Sequence, residues 1–299
     1  MNAISSHNNS FLEYVNYDVN FINFDCQKFT DAQNLKALFI FFEKDKNSII
    51  PWCAAFPQSI DLLKNENLDF GRVDRRKRNL LHFAALYDNI EICKLLLGSP
   101  EVYKININAK DSGSKTPIEY AAEKNYKVLT EFLISHGAEI NEYQIPLRNN
   151  CTDTAEIFLS HGVDVNAKIY ATPILIAAIR NHSKDVAKLI VEHGANVNER
   201  DIGDGTALQF AVCNNYKDLA ESIILKGADL FAEDRKGRSA IYYARTQEMK
   251  DLLVKYGGEK MRAKLHEVEE KQKFSIDIGS EFDDEFDNLI YTEFDEMLI

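Results

Sequence analysis

Along most of the chain, apolar residues come in two alternating kinds of short run. The first is a six-residue phrase: NLLHFA (79–84), TPIEYA (116–121), TPILIA (172–177), TALQFA (206–211) and SAIYYA (239–244), with IPWCAA (50–55) and IPLRNN (145–150) as weaker forms. The second follows a few residues later with helical spacing: Ile92, Leu95 and Leu96; Leu129, Phe132 and Leu133; Val186, Leu189 and Ile190. Such spacing places one apolar stripe on a helix. Thr116, Thr172 and Thr206 can cap the helix that each phrase begins, and Pro117 and Pro173 suit its first turn. The pairs Ala84-Ala85, Ala121-Ala122 and Ala177-Ala178 let neighbouring helices approach closely. HGAEIN (136–141), HGVDVN (161–166) and HGANVN (193–198), with the weaker KGADLF (226–231) and YGGEK (256–260), end each second helix. Their glycines, Gly137, Gly162, Gly194, Gly227 and Gly257, are expected in the left-handed conformation that terminates helices. The pattern therefore predicts a series of helix pairs. One pair cannot bury its apolar face alone, whereas stacked pairs can.

These phrases resemble the ankyrin repeat, whose family phrase T-P-L-H-x-A is followed by a second helix ending in L-L-x-x-G-A-D-V-N. Asp45, Asp74, Asp111, Asp201 and Asp234 stand five residues before a phrase, where the family often has Asp. Seven units are read, starting at 50, 79, 116, 145, 172, 206 and 239, and the resemblance covers residues 45–258. It implies an all-α fold: a solenoid of stacked helix-turn-helix units with β-hairpin tips, followed here by an acidic amphipathic helix. Only His82 keeps the family histidine, so the polar ties between units are expected to differ elsewhere. The unit at 145–166 leaves room for only a shortened first helix, and GSPEVYKININAK (98–110) is expected to be a loop. Asn141, Asn166 and Asn198 occupy the family's hairpin Asn. That residue is hydroxylated in some members, but here it is read as a turn-former satisfying its own backbone.

The ends change the picture. Residues 1–44 are read as an N-terminal helical cap or degenerate repeat, and 259–280 as a charged helix with a linker from Ser275 to Ser280. Residues 281–299, EFDDEFDNLIYTEFDEMLI, contain eight acidic residues and no basic one. On a helix, Phe282, Phe286, Leu289, Ile290, Phe294, Met297 and Leu298 form one stripe. This tail can cap the last unit, cross to basic tips, or fit a groove on another protein. Residues 274–299 hold −9 of the net charge of −12, leaving −3 for the rest, so a generally basic nucleic-acid binder is disfavoured.

Five dispersed cysteines, Cys26, Cys53, Cys93, Cys151 and Cys213, without metal-like spacing, read as reduced thiols of a reducing compartment. No secretory signal or spanning-length apolar run is visible. GxxxxGK[ST], HExxH and GxSxG are absent, and His136, His161 and His193 recur at one structural position. The reading is a non-enzyme with no cofactor, metal or small-molecule substrate.

The ankyrin resemblance implies protein binding through hairpin tips and first helices. Projected here, that gives Arg75, Arg76, Arg78, Lys115, Ile202, Arg235, Lys236 and Arg238 at the tips, and Tyr87, Lys124, Arg180 and Asn214 after the small pairs. The expectation is a monomeric cytoplasmic or nuclear scaffold or adaptor for a protein partner of unknown identity, not bound to a membrane. The alternative is a regulatory protein, or a secreted bacterial effector in a host cytosol, whose tail recruits a partner or directs secretion.

Overall fold

The structure, a computed structural model, describes residues 50–64, 68–140, 147 and 149–277. It divides into two compact units at Ile140–Asn141. Residues 1–44, Asp45, Asn141 and the tail with its anchors Phe282, Phe286, Leu289, Ile290, Phe294, Met297 and Leu298 lie outside the described residues.

Unit 1 contains the helix pairs Ile50–Cys53 with Ile60–Leu63, Leu80–Leu86 with Ile90–Gly98, and Pro117–Glu123 with Lys127–Ser135. The second helices of the latter two pairs each bury a small residue beside two larger ones. Ile92, Cys93 and Leu96 do so in one repeat, and Leu129, Thr130 and Leu133 in the next. The helices of a pair are joined by a turn with a left-handed residue, Asp88 (φ 55) or Asn125 (φ 58). The next amide returns to the small pair: Asn89 N–H donates to Ala84 O (2.8 Å) and Tyr126 N–H to Ala121 O (3.0 Å). His82 does two jobs. Its backbone N–H donates to Asn79 Oδ1 (3.1 Å), closing the cap, and its Nε2 donates to the Lys115 carbonyl (3.1 Å) of the following repeat. The expected loop after Gly98 contains a helical turn, Pro100–Tyr103, which seats Tyr103 edge-on against Phe70 with centroids 4.8 Å apart.

Unit 2 begins differently. Helix Thr152–Ser160 is the second helix of the short repeat, and Leu147, Asn149 and Asn150 before it lie in turns; the expected shortened first helix falls mostly outside the described residues. Both asparagines are left-handed, and Asn150 Oδ1 accepts from Asp185 N–H (2.9 Å) and Val186 N–H (3.2 Å). A turn therefore caps the second helix of the next repeat. The pairs Ile174–Arg180 with Lys184–Glu192 and Ala207–Cys213 with Lys217–Leu225 follow. The last first helix shrinks to a 3-10 turn, Ala240–Tyr243. Thr172 does not cap a helix as expected. With Pro173 it pairs with Lys168–Ile169 as a two-residue antiparallel hairpin, and the helix starts at Ile174. Gln209 takes the role of the missing histidine. Its Oε1 accepts from Thr206 N–H (2.7 Å), and its Nε2 donates to Ala232 O (3.1 Å) and Arg238 O (2.8 Å) in the following repeat.

The hairpin asparagines also need correction. The turn is closed two residues earlier, where Asp164 and Asn196 each accept the N–H of residue i+2, from Asn166 (2.9 Å) and Asn198 (3.1 Å). Asn166 and Asn198 reach outward instead. Asn166 Oδ1 accepts from Asn196 N–H (2.7 Å), and Asn198 Oδ1 from Asp229 N–H (2.8 Å). Each is a tie between repeats.

The C-terminal helix, Gln247–Asp277, is broken at Gly258 (φ 62), so the left-handed glycine is Gly258 and not Gly257. Beyond the break the chain folds back. Lys250 Nζ lies 2.8 Å from Glu269 Oε1, although 19 residues of straight helix would span about 28 Å. Met261 is fully buried, Lys264 pairs with Glu233 (2.6 Å), and Lys260 lies over the Phe231 ring (4.1 Å). A Cβ on Gly257 would come within 2.5 Å of Met261 Cβ, so the close turn requires glycine there. The charged helix thus packs on the last repeat of unit 2, and it runs through Ser275 to Asp277 where a linker is expected.

Candidate functional site

Four hairpin tips are built around one aspartate each, Asp74 and Asp111 in unit 1 and Asp201 and Asp234 in unit 2. Every one uses Oδ1 to accept two backbone N–H groups, from residues i+2 and i+4. For Asp74 these are Arg76 (2.9 Å) and Arg78 (2.8 Å), and for Asp234 they are Lys236 (2.9 Å) and Arg238 (2.9 Å). Asp111 holds Gly113 (2.8 Å) and Lys115 (2.9 Å), and Asp201 holds Gly203 (2.9 Å) and Gly205 (2.8 Å). Residue i+3 is then forced into the left-handed region, as at Lys77, Ser114, Asp204 and Gly237. The repeat phased on 172 has Ala167 in place of the aspartate. There Tyr170 (φ 48) and Ala171 (φ 65) form a two-residue hairpin turn of the primed type.

This geometry sorts the candidate residues. Positions i+1 and i+2 point outward: Arg75, Arg76, Ile202, Arg235 and Lys236 are exposed. Position i+4 turns inward where it is an arginine, whereas Lys115 is half-exposed. Arg78, expected at an exposed tip, is only 6% exposed and clasps Asp74 through Nε (2.8 Å) and Nη2 (2.7 Å), with its guanidinium 4.5 Å from the Phe83 centroid. Arg238 repeats the arrangement with Asp234 (Nε 3.0 Å) and lies over Tyr243 (5.2 Å). Both stabilise the hairpins. Lys115 pairs with Glu123 (2.7 Å), and Arg180 is largely buried between Asp201 (3.7 Å) and the Phe210 ring (5.9 Å). Lys124 is exposed at its helix end. Tyr87 is half-buried and stacks on Phe83, and Asn214 Nδ2 donates to Phe210 O (2.9 Å).

Two of these aspartates, Asp111 and Asp234, are held in the ionised form. Burial alone would raise Asp111, but bonds from the Tyr120 hydroxyl (2.6 Å) and from the amides of Lys115 and Gly113 hold it below the ordinary carboxylate value. Asp234 is depressed in the same way, with burial outweighed by the Tyr243 hydroxyl and by Arg238. Burial lowers the His82 pKa, which favours the neutral ring that its capping bonds need. It also pushes the Cys53 and Cys93 thiols up to about 12. Cys151 is buried too, and Cys213 half-buried. His136, His161 and His193 each place Nδ1 at 2.8–2.9 Å from the carbonyl four residues earlier, at Phe132, Ile157 and Leu189. They end helices. Among the described residues no His, Cys, Asp or Glu cluster is placed to hold a metal, and no helix is long and apolar enough to cross a membrane.

At the described hairpins two exposed apolar residues were missed by projection from the aspartates, Tyr170 (54% exposed) and Val73 (50%). Tyr170 lies on the hairpin without an aspartate. The dipeptide Tyr-Ala between Lys168-Ile169 and Thr172-Pro173 was the available signal.

In unit 2 adjacent tips are linked in series. Lys168 pairs with Glu199 (2.9 Å), Arg200 Nη1 donates to Glu233 O (2.7 Å), and Arg235 Nε pairs with Asp204 (3.2 Å). In unit 1, Ser112 N–H donates to Arg76 O (2.7 Å). Each unit therefore presents a row of tips held in register.

The family profile described as ankyrin repeats (three copies) matches residues 51–144, and that of ankyrin repeats (many copies) matches residues 174–222. The short repeat lies mostly between the two matches. Among solved structures, the human ASB11 ankyrin repeat domain is 20% identical, with a TM-score of 0.60 over 69% of this chain and 96% of that one. The ankyrin repeat domain of Bcl-3, a member of the IkappaB protein family, is 20% identical, with a TM-score of 0.56 over 69% and 95%. An ankyrin repeat domain from Acinetobacter baumannii AYE is 26% identical, with a TM-score of 0.52 over 59% and 97%. No curated protein matches the sequence.

Proposed function

Because the chain is an ankyrin-repeat protein, we propose that it is a non-enzymatic scaffold or adaptor that binds a protein partner through its hairpin tips. Ankyrin repeats generally mediate protein–protein interaction, and the tips supply the residue-level support. The observation that carries the reading is the division of labour at Asp74 and Asp234. Arg78 and Arg238 are consumed in holding the hairpin, whereas Arg75, Arg76, Ile202, Arg235 and Lys236 point outward beside them. A rigid, backbone-pinned loop removes the backbone-ordering part of the cost of binding. The acidic segment 281–299 is a second binding or regulatory segment in this reading.

The test separates binding from folding. The full chain carrying Arg76→Glu, Ile202→Asp and Arg235→Glu is compared with wild type by quantitative affinity purification from cells. Substitutions at such exposed positions change stability by about 0.5 kcal/mol or less each, so the melting temperature should be nearly unchanged. Proteins enriched on wild type should be lost from the variant. Equal recovery on both would contradict a role for the tips.

A further inference from the structure

The hairpin tips of the two units differ in what holds their cations. In unit 2 the row is paired internally: Lys168 with Glu199, Arg235 with Asp204 and Lys264 with Glu233. In unit 1, residues 74–78 and 110–115 carry six cations and two carboxylates. Both carboxylates are turned inward. Asp74 accepts the amides of Arg76 and Arg78 and the Arg78 guanidinium. Asp111 accepts the amides of Gly113 and Lys115 and the Tyr120 hydroxyl. Lys115 is taken up by Glu123 (2.7 Å). Arg76, Lys77 and Lys110 are exposed, and none of the three has an ion-pair partner among the described residues. The two tips are joined directly, since Ser112 N–H donates to Arg76 O (2.7 Å). That bond sets the three cations and the exposed Ser112 and Ser114 along one edge. The edge presents guanidinium, ammonium and hydroxyl donors, and the carboxylates of its own two tips face away.

We propose that this edge of unit 1 docks a carboxylate-rich segment of a partner protein. The proposal rests on the reading of the tips as an interaction surface, and it names the tips used and the chemistry they take. An ionised carboxylate only accepts hydrogen bonds, so a surface of donors satisfies it, and the Arg76 fork can hold one in two parallel bonds. Asp74 has already fixed the backbone beneath Arg76 and Lys77, which lowers the ordering cost of docking. Val73, 50% exposed just before the tip, gives an apolar side chain of the partner a surface to cover. Nucleic acid is the other polyanion that such cations attract, and two observations favour protein. The rings beside the tips are already engaged: the Arg78 guanidinium lies over Phe83 (4.5 Å) and the Lys115 ammonium over Tyr120 (5.8 Å), so neither face is open to a stacked base. The chain as a whole carries a net charge of −12, which repels a long phosphate backbone more than a short acidic segment.

Fluorescence anisotropy of the full-length protein tests this, with a labelled decaglutamate peptide and, separately, a labelled DNA duplex of about 20 base pairs, both at about 50 mM salt. Wild type should bind the peptide. Arg76→Gln, Lys77→Gln and Lys110→Gln together should weaken that binding at least about tenfold. A charge-matched control carries Lys184→Gln, Lys188→Gln and Lys226→Gln, three exposed lysines in or capping second helices of unit 2, and should bind as wild type does. If the triple tip variant unfolds, Lys110→Gln alone makes the same comparison and should weaken binding about threefold. No peptide binding by wild type, equal weakening in the charge-matched control, or tighter binding of the duplex than of the peptide would overturn the proposal. The affinity purification of the tip variant does not depend on the peptide. Partners lost there while the peptide fails to bind would mean that the tips bind a partner of other chemistry, so the two readings fail separately.

Discussion

Replacing Asp234 with alanine is expected to destabilise unit 2 by about 3–5 kcal/mol, the usual result of removing one partner from a buried charged network. Its carboxylate accepts the amides of Lys236 and Arg238, the Arg238 guanidinium and the Tyr243 hydroxyl, and it is only 9% exposed. Alanine leaves all four donors without their acceptor, two of them on side chains that are themselves largely buried. Asp234→Asn should cost less, about 1–3 kcal/mol, because Oδ1 can still accept both amides. Urea denaturation followed by circular dichroism measures both. The pH dependence has a definite sign. The folded-state pKa of Asp234 lies below its ordinary 3.8, so its contribution is complete above that value and is lost as pH falls from there through the depressed folded value. Asp111 has the same sign in unit 1. Wild type should therefore lose stability on acidification below about pH 4, and the Asp234→Ala variant should lose less over that range.

Phe83→Ala should cost unit 1 about 3–5 kcal/mol. The ring is fully buried and joins two repeats: its centroid lies 5.8 Å from Trp52 in the preceding repeat and 6.5 Å from Tyr87, which caps its own helix. It also carries the Arg78 guanidinium on its face at 4.5 Å. Truncation opens a cavity and takes the aromatic support from a buried ion pair at the base of the hairpin, so the tip at Asp74 should loosen along with the core. A shift in denaturation midpoint with unchanged slope is the expected signature. A loss below about 1 kcal/mol would mean that the first two repeats are not packed through this ring.

Much of this was legible in the sequence because a repeat states each position several times. The six-residue phrases mark the first helices of the described repeats, except that 239–244 forms only a 3-10 turn. The recurrent Asp marks the hairpin, and the glycines at 137, 162, 194 and 227 are left-handed as expected. Side-chain direction was much less legible. Arg75, Arg76 and Arg78 look alike in RVDRRKR, and only the hairpin geometry shows that the residue four after Asp faces inward while the two nearer ones face out. Asn166 and Asn198 were read as local turn-formers because turn chemistry is local, whereas their partners lie some thirty residues away. Gln209 could replace histidine because the role needs one acceptor for the cap and one donor for the next repeat, and an amide has both. The fold-back at Gly257-Gly258 was hidden by adjacent glycines, either of which could have been the left-handed one. Tyr170 escaped because its hairpin lacks the marker used to find the others.

If the outward tip residues form the surface on which another protein sits, a tip and a second helix should crosslink differently. A photo-crosslinking amino acid placed at Ile202 in the full chain, and separately at Leu225 on a second helix, tests it most directly in cells. Both side chains are well exposed, at 52% and 69%, so accessibility alone does not favour the tip. Discrete higher-mass adducts with another protein are expected at position 202 and none at 225. Adducts at 225 alone, or equal and diffuse labelling at both, would contradict it.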